Sequence, residues 1–146
     1  MPRYTYPMTS DGPIVPIVIG LDQAAVAILA AAAISIPAPF HGKAIIDTGS
    51  NVTAVSASFL HAFQLIQTSG LQTVTASGPA PARIFKASLS ILPPSNSSGP
   101  LLTHPSLIVM ELTHPPDECD VLIGRDVLDH YDFHYDGPNR LIHITF

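Results

Sequence analysis

The stretch "AIIDTGSNVTAVS", residues 44–56, places a single carboxylate, Asp47, at the end of an isoleucine-rich run and follows it with the small residues Thr48, Gly49 and Ser50. The segment "GKAIIDTG" predicts a short buried strand that ends at Asp47, and "NVTAVS" alternates as a second strand after the turn. Only 12% of the chain is charged. A carboxylate spent where a strand leaves a core is therefore a candidate for chemistry, although most such acids cap turns or face solvent. A second stretch strengthens it. "DVLIGRDVL", residues 120–128, is an apolar strand that ends at Gly124 and runs into about one helical turn.

The rest of the chain frames these two stretches. A length of 146 residues with 47% hydrophobic content fits one globular domain with a full core, residues 1–146, of which residues 1–12 are expected to be a flexible N-terminal segment. The net charge is -5, and the six cations, Arg3, Lys43, Arg83, Lys86, Arg125 and Arg140, do not cluster. That pattern favours neither nucleic acid nor an anionic membrane as a partner. The lone Cys119 cannot form an internal disulfide and is expected to be an idle, buried thiol. The apolar run from Ala24 to Pro37 is too short for a bilayer, and Asp11 and Asp22 precede it where a signal peptide carries positive charge. A soluble, cytoplasmic protein is expected, in which the sequons at Asn51 and Asn96 stay unused.

Residues 13–20 predict a first strand, which Pro16 limits to an edge or terminal position. A helix over 23–33 has Asp22 as its cap, Pro37 and Pro39 as its stop, and a sheet face as the surface it covers. Ser56 caps a second helix through Phe59, Leu60 and Phe63. Residues 71–76 and 82–92 form a hairpin that turns at 77–81. "PPSNSSGP", residues 93–100, is a surface loop with no residue to anchor it in a core. Residues 106–112 form a strand and 115–118 a loop, and the C-terminal hairpin turns at 136–139. Alternation separates His130, Asp132 and His134 from Tyr131, Phe133 and Tyr135 on a half-exposed strand, so no metal site is expected there. The sum is mostly β with two short helices.

The pair "IIDTGSNVTAVS" and "VLIGRDVL", with the hairpin "TVTASGPAPARIFKASL" between them, resembles the retropepsin-like aspartic proteases, single-domain relatives of the pepsin lobes. The resemblance runs from Ile14 to Phe146, and the helix before "GKAIIDTGS" points to bacterial-type members. It implies a mostly β, closed, barrel-like fold with a flap hairpin. It also implies Asp47 as the catalytic residue, Thr48, Gly49 and Ser50 as the active-site loop, and Ala76, Ser77, Gly78, Pro79 and Ala80 as the substrate-binding flap. Leu122, Ile123, Gly124 and Arg125 would support the loop from below. The activity implied is that of an aspartic endopeptidase acting on peptide or protein substrates, with no cofactor and no metal.

The chemistry of that class needs two carboxylates sharing one proton. One chain has one Asp-Thr-Gly and no Asp-Ser-Gly. The second acid must then come from another copy across a two-fold axis, which makes a homodimer. Thr48 is expected to hydrogen-bond across that axis, and the Ser50 hydroxyl to donate to Asp47. The C-terminal "LIHITF" could pair with a second chain or lie within its own sheet. Two departures from the retroviral members stand out. Asn51 occupies the place of the acid that pairs with the arginine after the glycine, here Arg125, leaving Asp126 or Asp120 as replacements. The flap sequence "SGPAP" has one glycine and two prolines, so its tip should be stiff. That stiffness suits a rival reading, a non-catalytic peptide-binding or dimerisation module on the same fold. The intact Asp-Thr-Gly-Ser argues against it.

Overall fold

The computed structural model describes every residue except 63–68, 76, 77 and 117. Alternation builds its first long strand: in β2 (Ile14–Leu21), Val15, Ile17 and Ile19 turn inward and Ile14, Pro16 and Val18 stay half-buried. β2 pairs antiparallel with β3 (Phe40–Ile46), and β3 runs parallel to β8 (Val121–Ile123). Next come β4 (Ala54–Ser56), β7 (Leu102–Leu112) and β6 (Gly78–Ile91), and a pairing between β6 and β2 closes the barrel. β5 (Ser69–Thr75) adds to β6 outside this ring. The resulting six-stranded closed barrel is the architecture expected from the sequence. Val15, Ile17, Val55, Ile91, Val109, Val121 and Ile123 fill it at no measurable exposure. Each such side chain contributes about 1.5–3 kcal/mol relative to an exposed one.

The order β3–β8–β4 positions the site. Because β8 lies between β3 and β4, the connection carrying Asp47, residues 47–53, must cross over the end of β8. α2 (Ala57–Ala62) follows β4 directly, and α3 (Arg125–Leu128) follows β8 through Gly124. α1 (Gln23–Ala31) is capped as the sequence predicts, with the Asp22 carboxylate accepting from the Ala24 and Ala25 amides at 3.2 and 3.3 Å. Ala25, Val26 and Leu29 pack on the core while Ile28 is 69% exposed. α1 thus covers the barrel through one narrow stripe. No helix among the described residues is long and apolar enough to cross a membrane.

The structure corrects the sequence reading in three places and decides one alternative that the sequence left open. Residues 3–7 are not a flexible segment: they form β1 (Arg3–Pro7), paired with β10 (Leu141–Thr145), because Tyr4 and Tyr6 are buried at 3% exposure. β10 in turn is no free edge, since β9 (Asp132–Asp136) holds its other side. The hairpin strand β6 begins at Gly78, so residues 78–81 belong to the ladder with β5 and not to a turn. Finally, loop 93–100 is anchored: Pro94 is buried, and the Tyr4 and Tyr6 hydroxyls donate to the Pro100 and Leu92 carbonyls.

Candidate active site

β3 delivers Asp47 to the end of the barrel. The Ile46 amide donates to Pro13 O at 3.0 Å and the Asp47 amide to Ile123 O at 2.9 Å, so the strand is held on both sides up to the acid. The chain then turns on itself. The Gly49 amide donates to Asp47 Oδ1 at 2.9 Å, and the Ser50 amide to Asp47 O at 3.2 Å. One carboxylate oxygen is therefore fixed in a local Asx-turn. Asp47 is half-buried, whereas Thr48 and Gly49 are exposed at the tip of the loop.

Support from below is more extensive than the sequence reading supposed. The Arg125 amide donates to Ser50 O at 2.9 Å and the Asp126 amide to Asn51 O at 3.3 Å. Gly124 passes so close beneath the loop that a Cβ there would stand 2.8 Å from the Val52 carbonyl carbon and 3.0 Å from Ser50 O. Only glycine lets the end of β8 approach this far. Thr53, fully buried, joins the two pieces. Its amide and hydroxyl donate to the Asp126 carboxylate at 3.0 and 2.8 Å, and its hydroxyl accepts from the Gly124 amide at 3.1 Å. Of the predicted supports, Ile123, Gly124 and Arg125 bond to the loop or to Thr53, and Leu122 pairs with Ile45 and Ala54 on either side.

Thr53 and the role of Asp126 were missed. Their only sequence signal is a hydroxyl placed before a strand and an acid placed after Gly124, neither informative until the two loops are known to meet.

Two expected contacts are replaced. Ser50 Oγ donates to Val52 O at 2.7 Å rather than to Asp47, because the Val52 carbonyl lies within reach of the same turn while the Gly49 amide already serves the carboxylate. The Arg125 guanidinium donates to the Asn51 amide oxygen, so the ion pair of the retroviral pattern becomes a neutral-acceptor hydrogen bond. Neither Asp126 nor Asp120 stands in for it. Asp126 serves Thr53, and Asp120 accepts from the Lys43 amide at 3.1 Å.

Of the flap residues, Ala76 and Ser77 lie outside the described residues. Gly78, Pro79 and Ala80 pair with Thr75, Val74 and Thr73 in the β5–β6 ladder. The hairpin leaves the barrel at Ile84, which pairs with Ser69 on β5 and Met110 on β7, and Met110 pairs in turn with Ala54 of β4. At that junction Arg83 grips Glu111 with two donors, Nε at 2.7 Å and the neighbouring Nη2, and touches His61 of α2 at 3.2 Å. The Arg83 hydrogen bond holds the Glu111 carboxyl below its usual range. Elsewhere, burial and then Asp120 push the Cys119 thiol up, away from the thiolate that a nucleophile needs.

A carboxylate on a loop that crosses the end of a central strand, in a closed barrel with one projecting hairpin, defines the retropepsin-like aspartic protease fold. No protein-family model and no curated protein matches the sequence. Among solved structures the chain is similar to a retropepsin-like aspartic protease from Rickettsia conorii, at TM-score 0.55 and 13% identity, over 98% of this chain and 90% of that one. It is similar at TM-score 0.44 and 14% identity to the retroviral protease-like domain of Ddi1 from Leishmania major, over 92% of this chain and 94% of that one.

Proposed function

We propose that the protein is an aspartic endopeptidase that works as a homodimer, each chain contributing one Asp47. The observation that carries this reading is the Asp47 loop itself: a half-buried carboxylate with one oxygen fixed by the Gly49 amide, on a braced loop whose outermost residues, Thr48 and Gly49, are small and exposed. Such a tip suits close approach to an identical loop across a two-fold axis. A single carboxylate cannot act as base and acid in one step, whereas two that share a proton can.

In the proposed reaction the ionised Asp47 takes a proton from water as the water oxygen attacks the peptide carbonyl carbon. The protonated Asp47 of the other copy gives its proton to the carbonyl oxygen. Collapse of the tetrahedral intermediate breaks the C–N bond: the first Asp47 passes its proton to the leaving nitrogen, a hydroxyl of the intermediate gives a proton to the second Asp47, and the dyad regains its starting state as the acid and amine products form. The loop donors keep one oxygen of each acid in place throughout, which limits reorganisation during the reaction. The β5–β6 hairpin, which carries the predicted flap residues Gly78, Pro79 and Ala80, would cover the substrate, and Arg83 and Glu111 would set the stance of its base.

Asp47→Asn tests the proposal. The amide oxygen can still accept from Gly49, so thermal unfolding should stay unchanged, while cleavage of a peptide library should fall by roughly 10²–10⁴-fold or more. Unchanged cleavage contradicts the proposal. Peptide binding without cleavage by the wild type would favour the non-catalytic module.

A further inference from the structure

β1 is an outer strand of its three-stranded sheet. The Phe146 amide donates to Pro2 O and the Met8 amide to Arg140 O, and between them Tyr4 faces Ile144 and Tyr6 faces Ile142. An antiparallel ladder uses alternate residues. Tyr4 and Tyr6 therefore spend their backbone groups on β10, while Arg3, Thr5 and Pro7 turn theirs outward. Pro7 has no N–H to offer there, which leaves the amides of Arg3 and Thr5 and the carbonyls of all three residues.

This edge borders a cleft of about 460 Å³, lined by Thr5, Pro7, Ile14, Pro16, Pro94 and Asn96 among others. Ile14 and Pro16 are the β2 residues that alternate with inward Val15 and Ile17, so they form the outer surface of the barrel. The tyrosine hydroxyls that hold Leu92 and Pro100 moor the loop carrying Pro94 and Asn96 to β1, so the cleft is built before any occupant arrives. Lys43 also lines it, 3.7 Å from Glu118, with both side chains largely exposed.

We propose that this cleft binds an extended polypeptide segment, which adds to β1 as a further strand. Donors and acceptors repeating every second residue along an edge match the backbone of an extended chain. The apolar surface of Ile14 and Pro16 takes small apolar side chains at alternate positions, and Lys43 takes a terminal acid. The site does not involve Asp47, so it stands whether or not the chain is a protease.

The probe is a capped heptapeptide of alternating Val and Thr with Glu at both ends, added to the full chain. Amide hydrogen exchange should slow at Arg3 and Thr5 when it binds. Thr5→Pro removes the outward N–H from a position whose amide β10 does not use. Thr5→Val loses the same hydroxyl contact with His143 but keeps the N–H. Thr5→Pro should weaken binding at least about tenfold relative to Thr5→Val, with both folded by circular dichroism. If Thr5→Pro fails to fold, N-methylation of alternate peptide residues makes the same test on the wild type: one methylated series should bind and the other should not. Equal binding by Thr5→Pro and Thr5→Val, equal binding of the two methylated series, or no binding of the unmodified heptapeptide would overturn the proposal. So would Arg3 and Thr5 amides already protected by self-association that the peptide cannot displace.

Discussion

The Asp47 loop and the β5–β6 hairpin emerge from the same barrel and are held in opposite ways. Residues 47–53 receive support from several elements: β8 through Ile123 O, the start of α3 through the Arg125 and Asp126 amides, and the Thr53–Asp126 contact. Among the described residues, the hairpin from Ile84 outward pairs β6 with β5, with the Arg83–Glu111 grip at its base. The difference teaches where the fold spends its constraint. Under the proposed mechanism, a carboxylate that is to meet a twin gains from a fixed position, and a cover over a peptide gains from a firm base.

The strongest way to break this contrast is Gly124→Ala. Its Cβ would collide with backbone that cannot swing aside, and overpacking of this kind costs about 1–3 kcal/mol. For a chain of this size that lowers the melting temperature by about 2–4 °C per kcal/mol. Cleavage should fall further than stability alone explains, because the Asp47 loop shifts. A melt and activity both equal to wild type would show that the approach of β8 is not what fixes the loop.

Thr53→Val should act next in size. It leaves the Gly124 amide without an acceptor inside the protein, a loss of about 1–3 kcal/mol that chemical denaturation can read. Thr53→Ser, which keeps the hydroxyl, should recover most of it. No recovery by Thr53→Ser would assign the effect to packing.

The hairpin base should respond least. The Arg83 side chain is about half exposed, and with solvent screening there Glu111→Gln should have the smallest effect of the three on overall stability. It should nonetheless speed hydrogen exchange in β5 and in the first half of β6. Because Arg83 lowers the folded-state value of Glu111 below its ordinary 4.5, the contribution is present above that pH and is lost as pH falls through the folded value. Wild type and Glu111→Gln should therefore differ at neutral pH and converge in acid. A difference that grows in acid would contradict the assignment.

How legible these regions were in the sequence follows from the range of the forces involved. "GKAIIDTG" and "DVLIG" carry their own periodicity and glycine signals, so Asp47 and the strand end at Gly124 could be found locally. The apolar runs "SLIVMEL" and "LIHITF" marked strands but not their neighbours. β1 was missed because the burial of Tyr4 and Tyr6 depends on a partner strand as far away as the 138 residues between Thr5 and His143. Thr53 and Asp126, 73 residues apart, escaped for the same reason. The Ser50 hydroxyl was misassigned because its choice between a carboxylate and the Val52 carbonyl is made by the shape of the turn, which composition does not encode.

The claim at the centre of this account is that two chains make one active site, and mixing tests it most directly. Wild type and Asp47→Asn, combined at constant total concentration and allowed to exchange subunits, should give activity that falls as the square of the wild-type fraction, to about a quarter at equal mixing, since only pairs of wild-type chains hold two acids. Activity that falls in proportion to the wild-type fraction, together with a monomeric sedimentation mass at the assay concentration, would contradict it.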